Sequence, residues 1–253
     1  MKEAYVKSHN KNGVTTIEFF HPQSNSLPAN ILAELTKKIE LAGIDNDTKV
    51  IILRSGGDKT FCAGASFDEL TAINNEEEGL KFFSGFANVI NAMRKCQKLI
   101  IGRIQGKCVG GGVGLAAAVD YAIAVDKADI KLSELAVGIG PFVVGPAIER
   151  KIGTSAFGEL AIDSSRWRNA DWAKQKGLFA EVHNNTENLE ESVNLLASSL
   201  SHSNPDAMAE IKNIFWKGTE HWDDLLKERA AISGRLVLSE FTKNAINKFK
   251  AKG

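Results

Sequence analysis

The segments Phe61-Cys-Ala-Gly-Ala-Ser-Phe-Asp-Glu-Leu70 and Val109-Gly-Gly-Gly-Val-Gly-Leu-Ala-Ala-Ala-Val-Asp120 each follow an apolar, strand-like run and open toward a helix. Two such junctions can aim two backbone N–H groups at one oxygen. Preorganised donors of this kind stabilise negative charge that develops on a carbonyl, and removing one typically slows a reaction by about two or three decades. An acyl thioester that passes through an enolate or oxyanion has this need.

The positioning elements follow from periodicity. Val14-Thr-Thr-Ile-Glu-Phe-Phe20 is rich in β-branched and aromatic residues and reads as a strand, followed by the turn His21-Pro-Gln-Ser-Asn-Ser26 and a helix over 28–42 with Leu32, Leu35, Ile39 and Ala42 on one face. The runs 49–54, 99–104 and 121–125 read as buried strands. A helix over 80–94 carries a broad apolar face of Phe82, Phe83, Phe86, Val89 and Ile90. The acidic run Asn74-Asn-Glu-Glu-Glu-Gly79 reads as a solvated loop at a mobile rim. Alternating strands and helices argue for an α/β fold. Beyond residue 189 the strand signals stop, and helical stretches over 189–200, 205–217 and 222–249 follow, the last broken near Gly234. Residues 1–190 are thus expected to form the core that holds the site, and 191–253 a helical region.

Composition narrows the function classes. Of 253 residues, Lys and Arg number 31 and Asp and Glu 31, so zero formal charge gives no case for nucleic acid or an anionic membrane surface, though 243–252 is locally basic. Cys62, Cys96 and Cys108 match neither a disulfide framework nor a metal motif and read as reduced, buried thiols. The N-terminus lacks a signal-peptide core, and no apolar run nears the ~18 residues of a membrane span, so a soluble, cytoplasmic protein is expected.

Together with Ser133-Glu-Leu-Ala-Val-Gly-Ile-Gly-Pro-Phe142 and Ala173-Lys-Gln-Lys-Gly-Leu-Phe-Ala-Glu-Val182, the two Gly-containing segments resemble the crotonase superfamily of enoyl-CoA hydratases and isomerases across nearly the whole chain. The resemblance implies an α/β, crotonase-like spiral of ββα units, a C-terminal helical trimerisation region that builds a homotrimer or dimer of trimers, and acyl-CoA thioester substrates. It implies no separate cofactor, since coenzyme A is part of the substrate, and no metal. By this similarity the N–H groups of Ala65 and Gly111 are the oxyanion-hole donors. Glycine at 110–112 is also expected on steric grounds, to leave a carbonyl free to approach the helix start.

The resemblance makes Glu134 the acid/base facing the α and β carbons of the acyl chain. Leu132, Leu135, Ala136 and Val137 around it are expected to exclude water and raise its pKa. Coenzyme A is expected against Ala63, Gly64, Ala65, Ser66 and Phe67, near Ser26 and Leu27, with Gly110, Pro141 and Phe142 along the acyl portion. Ser66 stands where many relatives carry aspartate. Phe249 and Lys252 match an aromatic and a lysine that, in the family, reach the coenzyme A of a neighbouring subunit. Phe82, Phe83, Phe86 and Phe142 are candidates for an acyl pocket, although aromatics at helical spacing also suit a core.

One position departs from the hydratase pattern. Related hydratases carry a second glutamate just past the Gly-rich turn, where this chain has Gly114. Hydration usually shares water activation and proton delivery between two carboxylates, whereas one base suffices to move a double bond. The resemblance therefore favours a double-bond isomerase such as a Δ3,Δ2-enoyl-CoA isomerase. A hydratase, including a methylglutaconyl-CoA type, remains open if Asp68 or Glu69 supplies the second acid, as does a non-catalytic acyl-CoA-binding or scaffolding homologue. A Ser/His/Asp hydrolase lacks a Gly-x-Ser-x-Gly elbow, and no metal-ligand spacing occurs. Asp120 is expected to serve structure.

Overall fold

In the computed structural model, which describes residues 3–250, two sheets and the helices between them share one continuous core. Strands β1 (Tyr5–Lys11) and β2 (Val14–Phe20) form an antiparallel hairpin whose turn residues, Asn12 and Gly13, both take positive φ. This is the backbone twist that a two-residue hairpin loop requires. Helix α1 (Ala29–Ile44) leads to β3 (Val50–Ser55), and the large sheet then grows in parallel through β5 (Leu99–Ile104), β7 (Tyr121–Val125) and β9 (Glu181–His183). The resulting order is β1-β2-β3-β5-β7-β9. Val50 to Leu53 and every residue of β5 are buried, as strands covered on both faces must be.

Each long inner strand hands the chain to a short one. These are β4 (Thr60–Cys62), β6 (Lys107–Val109) and β8 (Ile130–Lys131), which pair in parallel as a second sheet of order β4-β6-β8. Helices return the chain to the large sheet: α2 (Phe67–Thr71) and α3 (Glu76–Lys95) after β4, α4 (Gly111–Ala118) after β6, and α5 (Gly145–Ile162) and α6 (Ala170–Gln175) after β8. Strand, strand, helix repeats three times, which is the expected ββα spiral. The ends of β4, β6 and β8 lie side by side, so the loops that leave them share one edge.

Helices α7 (Thr186–Ser201) and α8 (Pro205–Trp216) pack on the large sheet, and α9 (Trp222–Leu236) packs on α3. Asp120, between α4 and β7, fixes α8. Its carboxylate accepts from the N–H of Ile100 at 2.7 Å, from Lys212 Nζ at 2.9 Å and from Trp216 Nε1 at 3.2 Å. The pair is almost fully buried, and Lys212 also donates to the carbonyl of Lys98. Asp120 is structural, as expected.

Two sequence expectations change here. The acidic run is no loop: Asn75 caps α3 by accepting from the N–H of Glu78, while the Glu78 carboxylate takes the N–H of Asn74, so Glu76, Glu77 and Glu78 form the first helical turn. Their charges complement the helix dipole. The C-terminal break also lies after Leu236, before α10 (Glu240–Lys250), and not at Gly234. Gly234 sits inside α9 against Gly79 of α3, and a Cβ on either glycine would come within 3.0 Å of the other's backbone. The glycines set the closeness of this crossing.

Candidate active site

The loop after β4 is held from behind. Leu27 donates its N–H to the carbonyl of Gly64 at 2.7 Å and accepts from the N–H of Ser66 at 3.1 Å. Because these bonds flank Ala65, the N–H of Ala65 faces away from Leu27, and it has no partner among the described residues. Gly64 makes the turn with φ 91°. Asn25 braces the same loop by donating to the carbonyls of Gly56 and Thr60.

The loop after β6 is a helix start. Gly110, at φ 52°, precedes α4 and donates to the carbonyl of Lys131 at 2.9 Å. The N–H of Gly111, first in the helix, has no partner among the described residues, as expected of an uncapped first turn. A Cβ on Gly64 would lie 3.1 Å from the carbonyl oxygen of Val109 and 3.5 Å from the nitrogen of Gly111, so the two loops are in van der Waals contact. Two unengaged amides thus flank one contact and line one cavity.

The glycines at 110–112 are closely surrounded by protein atoms. A Cβ at these positions would meet Glu134 Oε1 from Gly110, the Phe86 ring from Gly111 and the carbonyl of Cys62 from Gly112. A side chain at 110 would displace the Glu134 carboxylate, whose Oε1 lies 2.8 Å from that point.

Glu134 follows β8 and opens a short 3₁₀ turn, Leu135–Val137. Its Oε2 is buried and has no hydrogen-bond partner among the described residues. Burial pushes its pKa from the ordinary carboxylate range up to about 7, an effect only partly offset by the N–H groups of Glu134 and Ser133. Leu132 is buried and Ala136 and Val137 line the cavity, as expected, but Leu135 is 49% exposed and contributes no shielding.

The cavity measures about 1050 Å³. Ser26, Ala63, Gly64, Ala65, Phe67, Gly110, Gly111, Glu134, Pro141 and Phe142 line it, as do Phe82, Phe83 and Phe86. Two expected residues stand behind the wall: Leu27 is fully buried and supports the loop through its backbone, and Ser66 caps α2 by accepting from the N–H of Glu69 at 3.4 Å. Lys252 lies outside the described residues, and so does the Phe249 side chain. None of the five histidines is on the wall.

Asp68 and Glu134 are the acidic residues on the wall among those described. Asp68 is exposed at the rim and accepts from Gln23 at 3.1 Å, whereas Glu69 turns away to accept from the N–H of Ala29. The space off Gly114 is filled. A Cβ there would lie 2.5 Å from Cγ1 and 2.7 Å from Cβ of Val144, a residue that itself lines the cavity.

A family model described as enoyl-CoA hydratase/isomerase matches residues 9–251. The chain belongs to the enoyl-CoA hydratase/isomerase family. It is an enzyme of the crotonase type. It is 27% identical over 241 residues to a probable enoyl-CoA hydratase of Bacillus subtilis, covering 94% of this chain and 93% of that one. It is 26% identical over 211 residues to a peroxisomal Delta(3,5)-Delta(2,4)-dienoyl-CoA isomerase of Arabidopsis thaliana, covering 78% and 74%. Its fold matches an enoyl-CoA hydratase from Bacillus halodurans with a TM-score of 0.88 at 21% identity, covering 96% and 99%.

Sequence reasoning about the family missed Val144, Lys131 and Trp167, which reach the wall from three separate segments. It also missed that α10 covers this chain's own cavity through Phe241, Asn244, Ala245 and Lys248. Gly138 was the available signal, since at φ 81° it leaves no side chain between the 3₁₀ turn and Phe241 and Thr242.

Proposed function

We propose that the protein shifts the double bond of an enoyl-CoA thioester from the 3- to the 2-position, with Glu134 as the one acid/base and the N–H groups of Ala65 and Gly111 as the oxyanion donors. The ionised Glu134 removes a proton from C2. The C–H electron pair becomes the C1–C2 double bond of an enolate, and the charge moves to the thioester oxygen. The two amides hold that oxygen without reorganising. Enolate collapse then forms the C2–C3 double bond while the old C3–C4 pair takes the proton back from Glu134 at C4. Atoms balance with no water consumed.

The observation that carries this reading is the single buried carboxylate beside Gly110, combined with Val144 in the space where a second acid would project from position 114. A carboxylate with its pKa near 7 can both take and return a proton near neutral pH. Coenzyme A along Ser26, Ala63, Gly64 and Phe67 belongs to the same proposal, as does a homotrimer or dimer of trimers. For the assembly, exposed Ile211, Ile214 and Phe215 on α8 offer an apolar surface.

The test is conversion of 3-hexenoyl-CoA to 2-hexenoyl-CoA by purified protein. Glu134→Gln should lower the rate by about 10²- to 10⁴-fold while coenzyme A affinity stays nearly constant. Equal turnover by both proteins would remove Glu134 as the base. Faster conversion of 2-hexenoyl-CoA to the 3-hydroxyacyl product would make the enzyme a hydratase, and no turnover of either thioester would leave an acyl-CoA-binding protein.

A further inference from the structure

A basic and aromatic cluster stands at the far side of the small sheet, with Trp167 and Lys131 on the cavity wall and Lys107 beside Trp167. Trp167 is 40% exposed, lines the cavity, and has two ammonium groups over its ring: Lys107 Nζ at 4.9 Å and Lys131 Nζ at 5.4 Å from the centroid. Neither lysine is in an ion pair with a carboxylate among the described residues, and the indole N–H of Trp167 has no hydrogen-bond acceptor there. Asp129 is the nearby acid. It feels the charge of Lys107 but does not pair with it. The neighbouring Arg168 is already engaged by Glu159 and Asp163. Two like charges held at one ring repel each other, and an anion between them would turn that repulsion into attraction.

Strand order says which part of a substrate would meet the cluster. The small sheet runs β4-β6-β8, and the segment carrying Trp167 adds beyond β8 through the antiparallel bridge Ile130–Arg168. Ala65 follows β4, Gly111 follows β6 and Glu134 follows β8. At about 4.8 Å per strand, a thioester carbonyl between Ala65 and Gly111 has coenzyme A on the β4 side, and its acyl chain runs past Glu134 toward Trp167. This step rests on the reading given above. Lys131 itself ends β8, and its carbonyl is bonded to Gly110.

We propose that Lys131, Lys107 and Trp167 form an anion subsite for a carboxylate at the distal end of the acyl group, so that the preferred substrates are acyl-CoA thioesters of dicarboxylic acids. Both ammonium groups stand over the indole ring with no carboxylate partner among the described residues, which leaves N–H donors for that carboxylate.

The test is binding of an unreactive six-carbon pair, hexanoyl-CoA and adipoyl-CoA, measured by calorimetry, so that it does not depend on turnover. The wild-type protein should bind adipoyl-CoA about fivefold more tightly, as expected for a partly exposed ion pair, and the preference should shrink as salt rises. Lys131→Gln should bring the ratio of the two dissociation constants to about one, and Lys131→Arg should retain it. A wild-type ratio already near one overturns the proposal. So does a Lys131→Gln variant that weakens both thioesters alike, because the lysines would then serve the phosphates of coenzyme A. If 3-hexenoyl-CoA is not isomerised but the adipoyl preference appears and depends on Lys131, the isomerase reading fails and the subsite stands.

Discussion

Glu134 sets the pH behaviour at the residue scale. Its native pKa, about 7, lies above the unfolded value of 4.5, so between these values the native state holds more protons than the unfolded chain. Stability contributed by the neutral carboxyl is present at low pH and is lost as pH rises through about 7. Glu134→Gln should therefore raise stability by about 3 kcal/mol at pH 8 and by almost nothing at pH 4, as read by urea denaturation. A variant less stable than wild type at pH 8 would show the carboxylate to be well solvated or paired. The wild-type isomerisation rate should climb as the base ionises, with an acidic limb centred near pH 7. The apolar neighbours Leu132, Ala136 and Val137 made this shift legible in the sequence. Val144 was not legible, because thirty residues separate it from Gly114 and only the fold brings them into contact.

Elements carry the next set of consequences. Helix α4 meets the segment before α5 at Gly114 and Val144, so Gly114→Glu alone cannot install a second acid: Val144 must yield first. The single variant should lose about 1–3 kcal/mol through overpacking, and Gly114→Glu combined with Val144→Gly is the variant expected to gain 3-hydroxyacyl-CoA formation. Hydration by the single variant at full stability would show that Val144 moves aside freely. The α3–α9 crossing obeys the same sterics. Gly234→Ala places a methyl within 3.0 Å of the Gly79 and Leu80 backbone, and thermal melting should reveal a loss of about 1–3 kcal/mol. For α8, Asp120→Ala leaves Lys212 buried without its partner, and a loss of about 3–5 kcal/mol is expected in denaturant titration. The Asn75–Glu78 cap and the Asn12-Gly13 hairpin are local signals that the reading of 74–79 as a loop and of β2 as the first strand passed over, whereas the two- and three-residue strands β4, β6 and β8 are too short for any period to emerge.

At the scale of the whole molecule, the spiral aligns three loops that the chain keeps far apart, and the family pattern of these loops was visible in the sequence because each carries its own glycines. Their mutual contact was not visible, since it depends on the register Thr60–Lys107 and Val109–Lys131 across the small sheet. The closing contribution of α10 was equally hidden, because Phe241, Asn244 and Lys248 read as an ordinary amphipathic stretch until Gly138 receives them. The central claim joins all three loops in one act, removal of a C2 proton with the charge held at Ala65 and Gly111. It is tested most directly by incubating saturated butyryl-CoA with the protein in deuterium oxide and following the C2 hydrogens by proton NMR. Deuterium should enter C2 with the wild-type protein and fail to enter with Glu134→Gln; no wild-type exchange, or equal exchange by the two, would contradict enolate chemistry at this site.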